Sequence, residues 1–294
     1  MKNKYFVFLL FCAAPICAWT MPIESVDPNY HHVTAEFTDI FKTVEKLGRQ
    51  CGPKNVVIAF DLDNTLMVAD QDLGSEQWFD WQSALLQKKT ASSDQLVGNT
   101  FDQLIQADVL IKKTMKMHPA EKDLADQVRH LQQEGFLTLV LTSRGPEQDA
   151  ATVRELERNG FHFAQSTLPH PPNGVFLPYD QSHLDAAGFQ KDEVSTLKLG
   201  KPRSAEFKNG VFLTSGQNKG AMLRVILLKT GETPCGIVFV DNKEQYSDQL
   251  KTAYSHSTVT LATFRYSRED QAMKDFENKD KTEVVQAWNA LMKK

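Results

Sequence analysis

The chain runs to 294 residues, 41% hydrophobic and 24% charged, with 33 Lys and Arg against 37 Asp and Glu for a formal charge of −4. No long basic run accompanies that mildly acidic balance, which argues against a nucleic-acid partner. No apolar stretch beyond the N-terminus approaches a membrane helix in length, so no stable membrane association is expected and one soluble domain with an insertion is the simplest account.

The N-terminus reads as an export signal. Met1-Lys2-Asn3-Lys4 is basic, Tyr5 to Ala14 is apolar, and Ala18 supplies a small residue for a cut. Phe11 and Ile16 precede Cys12 and Cys17, where a lipoprotein would carry a small residue. Cleavage after Ala18 removes Lys2 and Lys4, leaving 31 basic against 37 acidic residues and a charge of −6. The expected location is periplasmic or secreted.

In chain order, Val56-Val57-Ile58-Ala59-Phe60 is a β-branched apolar run that predicts a buried parallel strand. Residues 66–118 read as a mostly helical insertion with Trp78, Phe79, Trp81, Leu85 and Leu86 on its apolar face. Pro119 is expected to open a helix that carries Leu124, Val128 and Leu131 at helical spacing and stops at Gly135. Residues 137–141 predict a strand, 147–159 a helix, and Phe161-His162-Phe163 a short third strand. Four prolines between 165 and 200 forbid regular structure there. Residues 206–213 predict a hairpin turning at Asn209-Gly210. A helix over 218–229, a strand over 236–240, another helix, a strand over 259–261 and one C-terminal amphipathic helix complete the chain. Such alternation predicts an α/β fold with a doubly wound parallel sheet. Cys51 and Cys235 each lie shortly before a strand, hence at the bottom edge of the sheet. An oxidising compartment would allow them to pair, the alternative being two buried free thiols.

Asp61-Leu62-Asp63-Asn64-Thr65 follows the first strand directly, at the end where open α/β sheets place their ligand crevice. A turn there lets both acids approach one site. A carboxylate pair beside a bound cation can attack phosphorus and move a proton. The string resembles the first motif of the haloacid dehalogenase-like (HAD) superfamily, an apolar strand followed by D-x-D-x-T. Leu141-Thr142-Ser143-Arg144-Gly145 is similar to its second motif, in which a strand-end hydroxyl binds phosphate without adding charge. Two lysines compete for the third. Lys201, in Gly200-Lys201-Pro202, resembles the Lys-Pro of many relatives, whereas Lys219 opens the one helix that separates it from the last motif. That spacing favours Lys219. Phe239-Val240-Asp241-Asn242 resembles the fourth motif, where an acid ligates Mg²⁺. Gln245 stands where many relatives carry a second acid, with Glu244 and Asp248 as substitutes at unusual spacing.

The resemblance spans roughly Val56 to Leu261, with a weaker likeness to exported class C bacterial acid phosphatases. It implies a HAD-type Rossmannoid core from residues 19–65 and 119–294, and a helical cap from 66–118 to which Asp70, Asp72, Trp78 and Trp81 belong, the Trp residues as packing. It implies a phosphomonoester hydrolase in which Asp61 is the nucleophile, Asp63 the acid and base, and Thr142 and Lys219 the phosphate ligands. Mg²⁺ would be held by Asp61, the Asp63 backbone carbonyl and Asp241. The implied substrate is a phosphorylated small molecule, a nucleotide or a phosphoprotein; the sequence names no partner protein. The alternative is a catalytically weak or inactive HAD scaffold that serves as a binding or host-interaction protein.

Overall fold

The computed structural model describes residues 25–88 and 95–293, so the signal peptide expected over residues 1–18 lies outside the described residues. The chain begins with β1 (Tyr30–Thr34), α1 (Phe37–Cys51) and β2 (Val56–Phe60). The insertion contributes β3 (Met67–Ala69), α2 (Glu76–Lys88), α3 (Phe101–Lys112) and β4 (Met117–Pro119). Next come α4 (Leu124–Gln133), β5 (Leu137–Thr142), α5 (Asp149–Arg158), the short β6 (Gly174–Phe176) and α6 (Glu193–Thr196), and the hairpin β7 (Ala205–Lys208) and β8 (Val211–Leu213). The chain ends with α7 (Lys219–Thr230), β9 (Gly236–Asp241), α8 (Glu244–Ala253), β10 (Thr260–Tyr266), α9 (Asp270–Asn278) and α10 (Thr282–Leu291).

Eight strands form one sheet in the order β1-β10-β9-β2-β5-β8-β7-β6. The first six run parallel, and β7 and β6 add an antiparallel edge. Alternation along β2 decides the layering. Val56, Ile58 and Phe60 join one core with α1, α4 and Leu156 of α5, while Val57 and Ala59 join a second with α7 and Leu250 of α8. Helices therefore cover both faces of a mostly parallel sheet, as the continuous apolar strands demand. The Asn209-Gly210 turn has φ of 51° and 78°, the left-handed pair that a tight hairpin needs.

The structure corrects several local expectations, among them the irregularity of residues 165–200, where β6, between the prolines, pairs with β7 and α6 follows them. Phe161-His162-Phe163 is not a strand: both Phe rings are buried, but β8 takes the free edge of β5 instead. Two buried side chains two residues apart imitate a strand without a ladder. Pro119 ends β4, which pairs antiparallel with β3 at the base of the insertion, and the helix starts only at Leu124. The expected single C-terminal helix is two, because Asp280 accepts from the Thr282 amide at 2.7 Å and restarts the chain as α10. β1 was not foreseen; its two His residues obscure its pairing with β10.

Helices α2 and α3 do not stand alone. Leu73, Trp78, Leu104 and Ile111 share a third core with Phe276 of α9 and Val284 of α10. Asp70 pairs with His118 at 2.7 Å and Asp72 with Lys279 at 3.0 Å on its surface.

Cys51 and Cys235 are disulfide-bonded across 184 residues, with Cα atoms 5.7 Å apart. Cys51 ends α1 and Cys235 directly precedes β9, so the bridge ties that helix to the amino end of β9, where Val56 pairs with Gly236, opposite Asp61 and Asp241. Replacing both cysteines by Ala should lower unfolding free energy by about 2–4 kcal/mol in urea titrations. A double variant with an unchanged midpoint and slope would show that the bridge contributes nothing.

Candidate active site

The chain moves outward from β2 through β5 and β8 and returns to the other side of β2 as β9. That reversal is a switch point, where open α/β sheets place their ligand crevice, here above the carboxyl ends of β2 and β9. The ladder extends one residue past β2, where the Asp61 amide donates to the Val240 carbonyl at 2.8 Å and so sets Asp61 level with Asp241. The chain then doubles back at Asn64, whose φ of 56° is a left-handed conformation that Asn tolerates.

Lys219 enters from the first turn of α7. Asn218 caps that helix by accepting from the Ala221 amide at 2.9 Å. The helix can lie against α8 because residue 220 is Gly: a Cβ there would stand 2.3 Å from the Gln249 carbonyl oxygen. The fully buried Lys219 ammonium donates to Asp61 Oδ1 at 2.5 Å and to Asp241 Oδ2 at 2.6 Å. It also lies 4.3 Å from the Tyr246 ring centroid. Burial alone would pull the ammonium down, but Asp241 and Asp61 raise it above its ordinary value, so it stays charged. Burial and the neighbouring Asp61 push Asp241 up to about 8 in spite of Lys219.

Asp63 turns to a different partner. Arg144 grips it with two bonds, Nε to Oδ2 at 2.8 Å and Nη2 to Oδ1 at 2.7 Å. Burial works to raise the Asp63 carboxyl, yet Arg144 and then Lys112 hold it well below the usual carboxylate range. Arg144 is itself buried and also donates to Thr152 at 2.9 Å. The charged chain continues into the insertion, where Gln148 donates to Asp108 at 2.5 Å and Lys112 pairs with Asp108 at 3.2 Å.

Thr142 is 1% exposed, and its hydroxyl accepts from the Arg144 amide at 3.2 Å. Amides of Thr214, Ser215 and Gly216 donate to the carbonyls of Thr142, Arg144 and Ser143, which fixes the loop after β5. Asp61, Lys219 and Asp241 are thus in direct contact, while Asp63 and Thr142 both bond to Arg144. Lys201 is elsewhere: it is exposed and lines a cleft of about 820 Å³ with Tyr179, Leu228 and Lys229, toward the far end of α7. Glu244 pairs with His31 and Lys251, and Asp248 with Lys251, at the surface. Gln245 is exposed and lines a cleft of about 480 Å³ with Asn242, Lys243 and Asp80.

Sequence reasoning missed Glu76 and Tyr246. Glu76 opens α2 and reaches back to the crevice: Oε2 accepts from Asn64 Nδ2 at 3.0 Å and Asn242 Nδ2 at 2.5 Å, and Oε1 pairs with Lys243 at 2.9 Å. Burial, with Asp61 and Asp80 nearby, pushes Glu76 up to about 7 against the pull of Lys243. No spacing rule connects it to Asp61, because its place depends on how the insertion folds back. Tyr246 carried a weaker signal, an aromatic residue on the helix that follows a strand-end acid.

The donors fit a hard divalent cation. Among the described residues no three His, Cys, Asp or Glu side chains form a ligand cluster. Magnesium does not need one, since a carboxylate or two with carbonyl, amide and water oxygens suffices. Asp61 and Asp241 converge on one ammonium, and with Glu76 they set three acids against Lys219 and Lys243. Asn242 Oδ1, next to Asp241 in sequence, is buried without a hydrogen-bond partner among the described residues.

Asp61, Asp63, Glu76, Thr142, Arg144, Lys219, Asp241 and Asn242 fall within residues 33–294, which match the model of a family described as "Protein of unknown function (DUF2608)". The chain belongs to the DUF2608 family. No curated protein matches it. In this DUF2608 chain the matched segment takes in the insertion and the sheet from β2 through β10, and starts within β1.

A carboxyl with a higher pKa in the folded than in the unfolded state favours folding at low pH and loses that contribution as pH rises through the folded value. For Asp241 and Glu76 the window runs from about 4 to about 8. In chelator, Tm should fall across that window at constant ionic strength, and Asp241→Asn should flatten the fall. Added Mg²⁺ should oppose it by binding the native state. A flat Tm profile in the wild-type protein would contradict the raised carboxyls.

Proposed function

We propose that this DUF2608 protein is an exported, Mg²⁺-dependent phosphomonoester hydrolase of the HAD type, acting through an aspartyl-phosphate on Asp61. One observation carries the reading: Asp61, Lys219 and Asp241 meet above the switch point of a parallel sheet, each from the kind of strand end or helix start that the motifs call for. The disulfide supports an oxidising compartment. In this reading residues 66–118, packed on α9 and α10, form the cap.

Asp61 Oδ1 is held by Lys219 and Oδ2 accepts from Thr65 at 3.2 Å, which fixes the carboxylate for attack on phosphorus. Lys219 remains cationic beside the phosphoryl oxygens as their charge redistributes, and Thr142 offers its hydroxyl. Mg²⁺, bound through Asp61, the Asp63 carbonyl and Asp241, would screen the remaining charge. Asp63, ionised against Arg144, is ready as the base that takes a proton from the water hydrolysing the aspartyl-phosphate. To protonate the leaving oxygen in the first half it must first release Arg144 and take up a proton from solvent.

The bidentate Arg144 clamp also favours the second reading, a binding or host-interaction protein, because it keeps the proton off Asp63. Turnover of a generic aryl phosphate separates the two. The hydrolase should require Mg²⁺, stop in chelator, and fall to background in Asp61→Asn. Asp63→Asn should cost about 10²–10⁴-fold in kcat. Hydrolysis that persists in Asp61→Asn would refute the nucleophile, and a wild-type protein inert with Mg²⁺ on aryl, nucleotide and phosphoprotein substrates would favour the binder.

A further inference from the structure

Asn242 is 3% exposed and fixed at both ends. Its backbone amide donates to Thr65 Oγ1 at 3.0 Å, and that hydroxyl donates to Asp61 Oδ2 at 3.2 Å. Its side-chain amide donates to Glu76 Oε2 at 2.5 Å. The oxygen and nitrogen of an Asn are told apart only by their partners. The Lys243 ammonium lies 2.9 Å from Glu76 Oε1 and the Asn64 carboxamide nitrogen 3.0 Å from Oε2, so this carboxyl is surrounded by donors, and Nδ2 of Asn242 faces it while Oδ1 faces away. Among the described residues Oδ1 is then a buried acceptor with no partner, in a position where native structures rarely leave one empty. Glu76 comes from the insertion, whereas Asn242 and Asn64 follow β9 and β2.

We infer that Glu76 is a positioning residue for the cation site: it orients Asn242 so that Oδ1 is presented to the cation or to one of its waters. This rests on the reading of Asp61 and Asp241 as cation ligands. The insertion thereby completes the site from outside the sheet, through an outer-shell contact of the kind that tunes metal affinity.

A plain structural clamp between insertion and sheet would use the same hydrogen bonds, and the two roles separate in Glu76→Gln. The introduced carboxamide can donate as well as accept. Asn242 can then turn over and accept from it, which keeps the clamp and removes Oδ1 from the cation. Mg²⁺ affinity, measured by calorimetry on the full chain without substrate, should weaken about 10- to 100-fold while Tm in chelator changes little. Adding Asn242→Asp should recover most of the affinity, because an aspartate can accept from the introduced amide with one oxygen and keep the other for the cation. Asn242→Ala, which leaves Glu76 in place, should lose affinity to a similar extent and serves as the test if Glu76→Gln does not fold. Mg²⁺ affinity unchanged in Glu76→Gln or in Asn242→Ala overturns the inference alone, provided Asp241→Asn still loses binding. A wild-type chain that binds no Mg²⁺, or binds it equally after Asp241→Asn, overturns the cation reading and this inference together.

Discussion

A single buried ammonium holds this crevice together. Asp61 and Asp241 are acids on adjacent parallel strands, and their mutual repulsion inside a protein is severe without a counter-charge. Lys219 supplies it from 2.5 and 2.6 Å. A buried triad of this kind is a poor source of net stability, since well-packed apolar residues would often do as well. Its presence is better explained by what the charges can do. The surrounding fold follows from the need to deliver the lysine: a helix cap at Asn218, a glycine at 220 that admits α8, and a sheet order that puts β9 beside β2.

The insertion is fastened to both walls of the crevice rather than suspended above it. On one side Asp108 and Lys112 join Gln148 in the loop after β5, where Arg144 holds Asp63. On the other, Glu76 bridges the segments after β2 and β9. Its base is anchored to α5, where the Glu155 carboxylate takes the Met117 amide at 2.9 Å and Arg154 donates to the carbonyls of Lys112 and Met115. With α9 and α10 packed on its apolar side, the insertion has little freedom to swing as a rigid lid.

Legibility in the sequence tracked locality. β2, β5, β9 and the β7–β8 hairpin announce themselves through continuous apolar runs or an Asn-Gly turn, and each needs only its own residues to be recognised. Asp61, Lys219 and Asp241 were readable for the same reason, standing at strand ends or a helix start. What was hidden depends on distant partners. Phe161 and Phe163 alternate like a strand, but the edge they would occupy goes to a segment nearly fifty residues later. Glu76 looks like an ordinary acid in a helix's first turn until the insertion folds back. Within residues 141–145 the hydroxyl drew notice, while Arg144 proved to be the group that reaches Asp63.

Asp61 and Lys219 are 158 residues apart, and the strands around them pair in parallel, a topology that forms slowly. The ion triad also constrains the order of assembly. If β9 zipped onto β2 before α7 docked, two carboxylates would be drawn out of water together with nothing between them. The sequence Lys219 to Asp241 is a helix followed by its strand, so α7 and β9 can arrive as one local unit with the counter-charge already alongside. The site itself exists only once β2 meets that unit and the 158 residues between Asp61 and Lys219 are closed into a loop. A fragment that keeps either half alone lacks one side of the triad.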